Sequence, residues 1–401
     1  MSLGDRRAHV LRTIDELPPL NQVARHLLSL LGDDRTSAGD LDRIIRNDQA
    51  LTARVLKHAN SSVFGKSRRI SSLTEAVVLM GDARLSDLVL SAGVDDVVGE
   101  SGIPGFSEAA WDHSIDCAAA ARALARFEGA IDPDTAFVAG LMHDIGLLVV
   151  ARAAPAEMAA LWAANPEDPL AAERQLLGLN HSQVGQKLLE KWNLPAPLCE
   201  AVRLHHAPHR KYAALNPLVN LVALADLLAT IDGAAIYPAG ARGDLFGLLR
   251  LCGVTPDRLG ELFSDLARSR DEADRLLSAV RGRPARGVAD SSPGKPGIYF
   301  VYAVDDLRRA WYEGVLRHLG RTVGPLGATP PTDAGPSWIV ADLHGASPEA
   351  RGRIADLAGR QGLPLALVET SLPPGEPWRD APRLPMVFTD RVVAALNLTL
   401  V

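Results

Sequence analysis

Between Leu17 and about Val94, apolar residues recur at helical spacing, broken by turn signals at Gly32-Asp33-Asp34 and Ser61-Ser62. That rhythm predicts a bundle of short helices. Residues 107 to 280 keep the same period with hardly a strand pattern, and helix boundaries fall at Ile131-Asp132-Pro133, Asn165-Pro166-Glu167-Asp168-Pro169, Leu194-Pro195-Ala196-Pro197 and Gly253-Val254-Thr255-Pro256-Asp257. Acids and prolines at those points are helix starts. From Arg281 to Gly297 the chain turns rich in Arg, Gly, Pro and Ser and has too little apolar surface to fold, so it reads as a linker. Beyond it strands and helices alternate: strands at Ile298 to Val304, Ser337 to Asp342, Leu365 to Val368 and Met386 to Phe388, helices at Asp306 to Leu319, Pro348 to Arg360 and from Arg391. Such alternation implies a parallel sheet covered on both faces. The expected organisation is a helical part over 1–100, a second helical part over 101–280, a linker over 281–297 and a small α/β domain over 298–401.

Composition narrows the function classes. The 401 residues are 47% hydrophobic and carry a formal charge of −6, with no basic footprint for a polyanion. One local basic cluster, Lys57, His58, Lys66, Arg68 and Arg69, contains a single aromatic, Phe64, and so lacks the stacking platform of a single-strand binder. A solvated face or a dock for an acidic partner fits it better, and nucleic acid is not the expected partner. Three widely spaced cysteines, Cys117, Cys199 and Cys252, suggest neither a disulfide framework nor a thiolate metal site, and fit a reducing compartment. The start lacks an apolar signal core, and no run is expected to reach the roughly 18 to 20 apolar residues of a bilayer span. These features predict a cytoplasmic protein with no membrane partner.

One apolar stretch carries the chemistry. In Phe137 to Val150, His143 and Asp144 stand side by side within a helical apolar run, where a charge needs a partner or a metal. Candidate partners are His113, His181, the pair His205-His206 and Asp226, each beside an apolar helical segment. Imidazoles and a carboxylate without cysteine suit Fe²⁺, Mn²⁺ or Zn²⁺ outside structural zinc sites. His143 and Asp144 at a helix turn, with His113 and Asp226, would make four ligands to one ion. His181, His205 and His206 would then serve a second ion bridged by Asp144. The competing reading makes the same histidines hydrogen-bond links between helices, and spacing alone does not choose between them.

Longer motifs carry a resemblance. Leu17-Pro18-Pro19-Leu20, Ile45 to Thr52, Leu56 to Ser61 and Ile70 to Val77 resemble the first half of the HDOD domain of bacterial signalling proteins. Gly140 to Gly146, Asn180 to Gly185, Leu188 to Pro195 and His205-His206 resemble its second half. The resemblance covers about residues 10 to 280 and implies an all-α HDOD domain, a helical bundle of the HD superfamily of metal-dependent phosphohydrolases. It implies that His113, His143, Asp144 and Asp226 match the core metal ligands, and that His181, His205 and His206 match the added ligands of the two-metal HD-GYP phosphodiesterases that hydrolyse cyclic di-GMP. The substrate side departs. Leu147 follows Gly146 where those enzymes place a phosphate-contacting lysine, and His205-His206 lacks the glutamate and Gly-Tyr-Pro that follow it there. Without a phosphate cation, phosphoryl transfer loses its main charge stabilisation.

The segment after the linker resembles a degenerate receiver of two-component systems, with a flavodoxin-like fold. Asp305 and Asp306 follow the first strand, Asp342 ends a central strand and Thr370 ends the next, matching the acidic pair, phosphoacceptor and hydroxyl residue. Thr389-Asp390 stands where a receiver has its lysine, and helix capping accounts for the same acids better than a working acceptor site does, which leaves a pseudo-receiver used for docking or dimerisation.

The expected protein is therefore a bacterial signal-transduction regulator acting by protein or small-ligand binding, without turnover. Expected partners are response regulators, kinases or cyclic-dinucleotide enzymes, with a nucleotide as candidate ligand, one or two divalent ions as cofactor, and room for a homo-oligomer. The alternative is a metal-dependent phosphohydrolase or phosphodiesterase acting on a nucleotide or cyclic dinucleotide.

Overall fold

The structure, a computed structural model, describes residues 2–20, 70, 73–98, 101–166, 168–207, 214–231 and 245–281, strand residues 298–303, 322–324, 338–342, 365–367 and 399–400, and single residues between them. The motifs expected at Ile45 to Thr52 and Leu56 to Ser61, and the basic cluster around Lys57, lie largely or wholly outside the described residues.

The chain divides into two compact units. The first comprises Met1–Ala229, Ala234–Gly243 and Leu266–Arg286, and the second Thr230–Gly233, Asp244–Asp265 and Gly287–Val401. The described elements up to residue 281 are helical, in the order α1 (Leu3–Glu16), α2 (Leu73–Met80), α3 (Asp82–Val98), α4 (Phe106–Glu128), α5 (Pro133–Met142), α6 (Ile145–Ala153), α7 (Pro155–Ala164), α8 (Pro169–Leu177), α9 (His181–Lys191), α10 (Ala196–Leu204), α11 (Pro217–Ile231), α12 (Leu245–Leu251) and α13 (Leu259–Arg281). The expected helix starts are built as capping chemistry requires. Asp132 and Asp168 precede Pro133 and Pro169, and their carboxylates accept from Thr135 N–H at 2.7 Å and Ala171 N–H at 2.9 Å.

Helix α4 is the axis of the first unit. It is buried on nearly every side, and its middle, Ala118 to Ala121, is a run of small buried residues. A helix without a polar face belongs inside a bundle. Small side chains there let α5 come close: a Cβ built on Gly140 would lie 2.8 Å from Ala118 Cα and from the Cys117 carbonyl oxygen. Arg122, also of α4, ties three helices together. Its guanidinium donates to both Asp87 oxygens of α3 at 2.6 and 2.7 Å, to Asp134 of α5 at 2.9 Å, and sits 4.0 Å over the Phe137 ring. Two-pronged pairing of this kind is what makes a buried guanidinium tolerable. The end of α1 is held by Lys191, whose Nζ donates to the carbonyls of Ile14, Asp15 and Leu17 at 2.6 to 2.7 Å.

One expectation is corrected here. The stretch Pro133–Ala153 is, by length and composition, apolar enough to cross a bilayer, although no run was expected to be. Its most apolar 18-residue window is 94% buried inside the protein, and the stretch is interrupted at His143 and Asp144, between α5 and α6. The turn hides the length from a residue-by-residue count because two polar ligand-type residues sit in its centre.

The second unit contains a five-stranded sheet of β1 (Ile298–Ala303), β2 (Thr322–Gly324), β3 (Trp338–Asp342), β4 (Leu365–Leu367) and β5 (Thr399–Leu400), ordered β2-β1-β3-β4-β5. Strands β1 to β4 run parallel, and β5 is antiparallel to β4, against the all-parallel expectation. Neither β2 nor β5 stood out in the sequence, being three and two residues long. The strand expected at Met386 to Phe388 and the helix from Arg391 lie outside the described residues.

Candidate metal centre

Six helices, by their ends or their faces, deliver the candidate ligands to one place. His113 comes from the first half of α4 and Asp226 from α11. His143 caps the C-terminus of α5, and Asp144 stands at the N-cap of α6. An aspartate at that position ordinarily bonds the free N–H groups of its own helix, yet the Asp144 side chain makes no such bond. His181 is the first residue of α9, placed there by a capping box in which Asn180 and Gln183 each bond the other's backbone N–H at 3.0 Å. His205 and His206 follow the end of α10.

Glycines set how closely these helices meet. Gly146, two residues after Asp144, lies against the backbone of His181 and Gly185, and a Cβ on Gly185 would stand 2.7 Å from Val202 of α10. The glycines of Asp144-Ile145-Gly146 and Ser182-Gln183-Val184-Gly185 therefore bring α6 and α9 into backbone contact, which puts Asp144 beside His181.

All seven residues converge, with Asp144 at the centre. Its Oδ2 lies 3.6 Å from His113 Nε2 and 3.5 Å from His143 Nε2, while its Oδ1 lies 3.2 Å from His181 Nε2 and 3.4 Å from His205 Nε2. Asp226 Oδ1 completes the first group, 3.1 Å from His113 Nε2 and 3.8 Å from His143 Nε2. Its other oxygen lies 3.7 Å from His206 Nδ1. The ligand atoms of His113, His143 and Asp144 fall within 4.8 Å of one another, and so do those of Asp144, His181, His205 and His206. Six of the seven are largely or wholly buried; His206, with 34% of its side chain exposed, faces the outside.

The charge pattern is that of a site short of positive charge. Burial works to raise the Asp144 carboxyl, but His143 and His181 hold it well below the usual carboxylate range. Burial opposes ionisation of Asp226 as well, and His113 holds it low by hydrogen bond and charge. Complete burial pushes His143 down to about 4 against the pull of Asp144. Burial would lower His113 and His181 too, yet Asp226 raises the first, and Glu173 with Asp144 raises the second well above its ordinary value. Cys117, one turn beyond His113, has its thiol pushed up by burial and by the nearby carboxylates, which leaves it a packing residue. All three cysteines are buried, and none forms a disulfide.

These residues fit a divalent ion on two grounds. His143 Nδ1 lies 2.7 Å from the Gly140 carbonyl and His205 Nδ1 lies 2.9 Å from the Val202 carbonyl. A carbonyl only accepts, so Nδ1 carries a hydrogen in both rings and Nε2 is the nitrogen turned toward the Asp144 carboxylate. A cation or a proton between Nε2 and the carboxylate would join the two. In addition, Asp144 Oδ1 and His181 Nε2 are buried without a hydrogen bond of good geometry despite their 3.2 Å approach. Buried polar atoms left in this way call for an unseen partner.

The seven sequence candidates are thus brought together, and sequence reasoning missed one member of the surroundings. Glu173 of α8 is 1% exposed and bonds His181 from the side opposite Asp144. Its signal was weak, because a single glutamate in the Glu-Arg-Gln run of a helix looks solvated. Of the receiver-like acids, Asp306 is an exposed helical residue and Asp342 ends β3; Asp305 and Thr370 lie outside the described residues.

Comparison with known proteins agrees with this architecture. Residues 17–208 match the model of the HDOD domain, a span that includes six of the seven residues and stops short of Asp226. An uncharacterized protein of Treponema pallidum (strain Nichols) is 26% identical over 236 residues, 57% of this chain and 45% of that protein. The chain therefore spans less than half the length of that curated relative. Among solved structures, a "putative phosphohydrolase" of Shewanella amazonensis SB2B is 25% identical with a TM-score of 0.53, over 68% of this chain and 98% of that one. An HDOD domain protein with unknown function from Geobacter sulfurreducens is 24% identical with a TM-score of 0.54, over 69% and 99% of the two chains. A "putative signal transduction protein" of Marinobacter aquaeolei VT8 is 21% identical with a TM-score of 0.55, over 70% and 66%. The last two similarities speak to the fold alone.

Proposed function

We propose, from the premise that the helical unit carries an HDOD domain, that this chain is a bacterial signal-transduction regulator. Its HDOD domain holds one or two divalent ions and acts by binding a partner protein or a small ligand, without turnover. The observation that carries the reading is Asp144, whose two oxygens face two separate groups of imidazoles in a buried pocket. His113, His143, Asp144 and Asp226 would hold one ion, and Asp144, His181, His205 and His206 a second, with Fe, Mn or Zn suited to the donor set. A divalent ion in such a setting supplies a Lewis acid and lowers the pKa of a bound water. The protein's own residues supply the closed cage; only His206 and, slightly, Asp226 reach its mouth. Leu147, fully packed at 1% exposure, occupies the position at which the resembling HD-GYP enzymes have a phosphate-contacting lysine. That favours binding over phosphoryl transfer.

The second unit serves this reading as a receiver-like docking domain. The order β2-β1-β3-β4 of the parallel strands is shared with flavodoxin-like folds, whose ligands sit at the switch point between β1 and β3, while β5 departs from them in running antiparallel. Asp342 pairs in register with Ala303 there, and Asp306 follows three residues on, which supports an acidic docking site. The proposed setting is the cytoplasm, and the proposed partners are response regulators, kinases or enzymes of cyclic-dinucleotide signalling, with homo-oligomerisation through the receiver-like domain.

A second reading, a metal-dependent phosphohydrolase, is favoured by the two-sided ligand set and by the similarity to the Shewanella protein. Elemental mass spectrometry of protein purified without added metal or chelator, with Asp144→Ala alongside, tests both. One or two equivalents of Fe, Mn or Zn, lost in the variant, with no turnover of cyclic di-GMP or bis(p-nitrophenyl) phosphate, is expected. Turnover abolished by Asp144→Ala would establish the second reading, and metal-free protein that stays metal-free on reconstitution would end both.

A further inference from the structure

The rings of the centre are not all held in the same way. His143 and His205 are oriented by backbone carbonyls, those of Gly140 and Val202. His181 is oriented by a side chain. Glu173 Oε2 accepts from the His181 backbone N–H at 2.7 Å, and both carboxylate oxygens lie 2.9 Å from His181 Nδ1. A carboxylate only accepts, so Nδ1 carries the hydrogen and Nε2, on the far side of the ring, faces Asp144 Oδ1. Capping the first turn of α9 would need the backbone contact alone; the two contacts to Nδ1 go beyond it. They fix both the tautomer and the plane of the ring. Histidine ligands are commonly steered by a carboxylate on their other nitrogen, which also makes the ligating nitrogen more basic.

We propose that Glu173 is the positioning residue of the second ion subsite: by clamping His181 Nδ1 and the His181 N–H, it makes the face formed by His181, His205 and Asp144 Oδ1 competent for a divalent transition-metal ion. This rests on the metal-binding reading above. Glu173 acts on His181, which belongs to the second group and not to that of His113, His143 and Asp226, so the two subsites are separable by substitution at residue 173.

Calorimetric titration of the metal-free full-length chain with Co²⁺ tests this, on wild type, Glu173→Gln, Glu173→Ala, His181→Ala and the Glu173→Ala/His181→Ala double variant. Glu173→Ala is expected to weaken one class of Co²⁺ site by about 10- to 100-fold and to leave the other unchanged. Glu173→Gln, whose amide oxygen still accepts one hydrogen bond, should recover part of that loss. In the His181→Ala background, removing Glu173 should change Co²⁺ affinity no further, which a purely architectural glutamate would not reproduce. Unchanged affinity in a folded Glu173→Ala, or an equal loss with His181 already gone, overturns the proposal and leaves the metal-binding reading standing. Wild type that takes up no Co²⁺ overturns both. Should Glu173→Ala melt before titration, the near-isosteric Glu173→Gln decides: several-fold weakening supports the clamp, and wild-type affinity refutes it.

Discussion

Replacing Gly146 by alanine should destabilise the helical unit, although the same exchange in a helix usually helps. Gly146 is the second residue of α6, and a Cβ there would fall inside contact with the His181 carbonyl oxygen, 2.7 Å from Gly185 N and 2.8 Å from His181 C. Every one of those atoms is backbone, so no side chain can rotate away. Relief requires α6 to move off α9. Overpacking of a tight core costs about 1–3 kcal/mol, and immovable neighbours place this case near the top. Against it stands the intrinsic helical advantage of alanine over glycine, about 0.5–1 kcal/mol. The net loss is about 2 kcal/mol, a fall in melting temperature of roughly 4–8 °C for a unit of this size. Gly4 provides the matched control: it is the second residue of α1, and outside its own helix backbone the atom nearest to a Cβ built there, Ser2 Oγ, is at an ordinary 3.8 Å. Circular dichroism at 222 nm during heating would follow both. Gly4→Ala should melt at or slightly above wild type, and Gly146→Ala clearly below it. A Gly146→Ala protein that melts with wild type would refute the backbone contact between α6 and α9, and with it the account of how Asp144 reaches His181.

Other outcomes follow from the same contacts. Arg122→Met strands the buried Asp87 carboxylate and should cost about 3–5 kcal/mol in urea denaturation, most of it recovered in Arg122→Met/Asp87→Leu. Lys191→Met removes three carbonyl bonds at the end of α1; a loss of about 1–2 kcal/mol and faster amide hydrogen exchange in α1 are expected, since partly exposed carbonyls regain water. His143, held to about 4 by burial, contributes stability that is present above the unfolded value near 6.5 and is lost as pH falls toward 4. Metal-free wild type should therefore lose about 2 kcal/mol more than His143→Gln between pH 7 and pH 5, as read from denaturant midpoints. Equal losses in the two proteins would contradict a neutral, buried His143.

The helical period, the proline-marked helix starts and the seven ligand-type residues could be read from the sequence because each leaves a local mark. Asp132-Pro133 and Asp168-Pro169 are caps by chemistry alone, and a histidine beside an aspartate in an apolar run is conspicuous wherever it ends up. What was not readable depends on partners distant in the chain. Glu173 is distinguished from any helical glutamate only by its three contacts with His181 across the α8–α9 turn. Gly146 and Gly185 were visible as motif letters, but their purpose, close helix approach, appears only when α6 and α9 are packed. The apolar stretch Pro133–Ala153 reaches the length of a bilayer span only when its two helices are counted through the turn at His143 and Asp144, two polar residues that break an unbroken apolar count. In the second unit, the short strands β2 and β5 hold too few residues for any period to show.

The spread of the ligands along the chain bears on how the protein is made. During synthesis His113, His143 and Asp144 leave the ribosome early, while Asp226, which supplies an oxygen to the same group, comes only with α11. Until then the nascent chain offers a half-built cluster of imidazoles in an apolar bundle, open on one side. Closing it means joining chain segments far apart in sequence, a late and slow event in folding. An ion captured by the finished cage would lock that closure, adding to the stability of the joined segments by an amount set by its concentration and affinity.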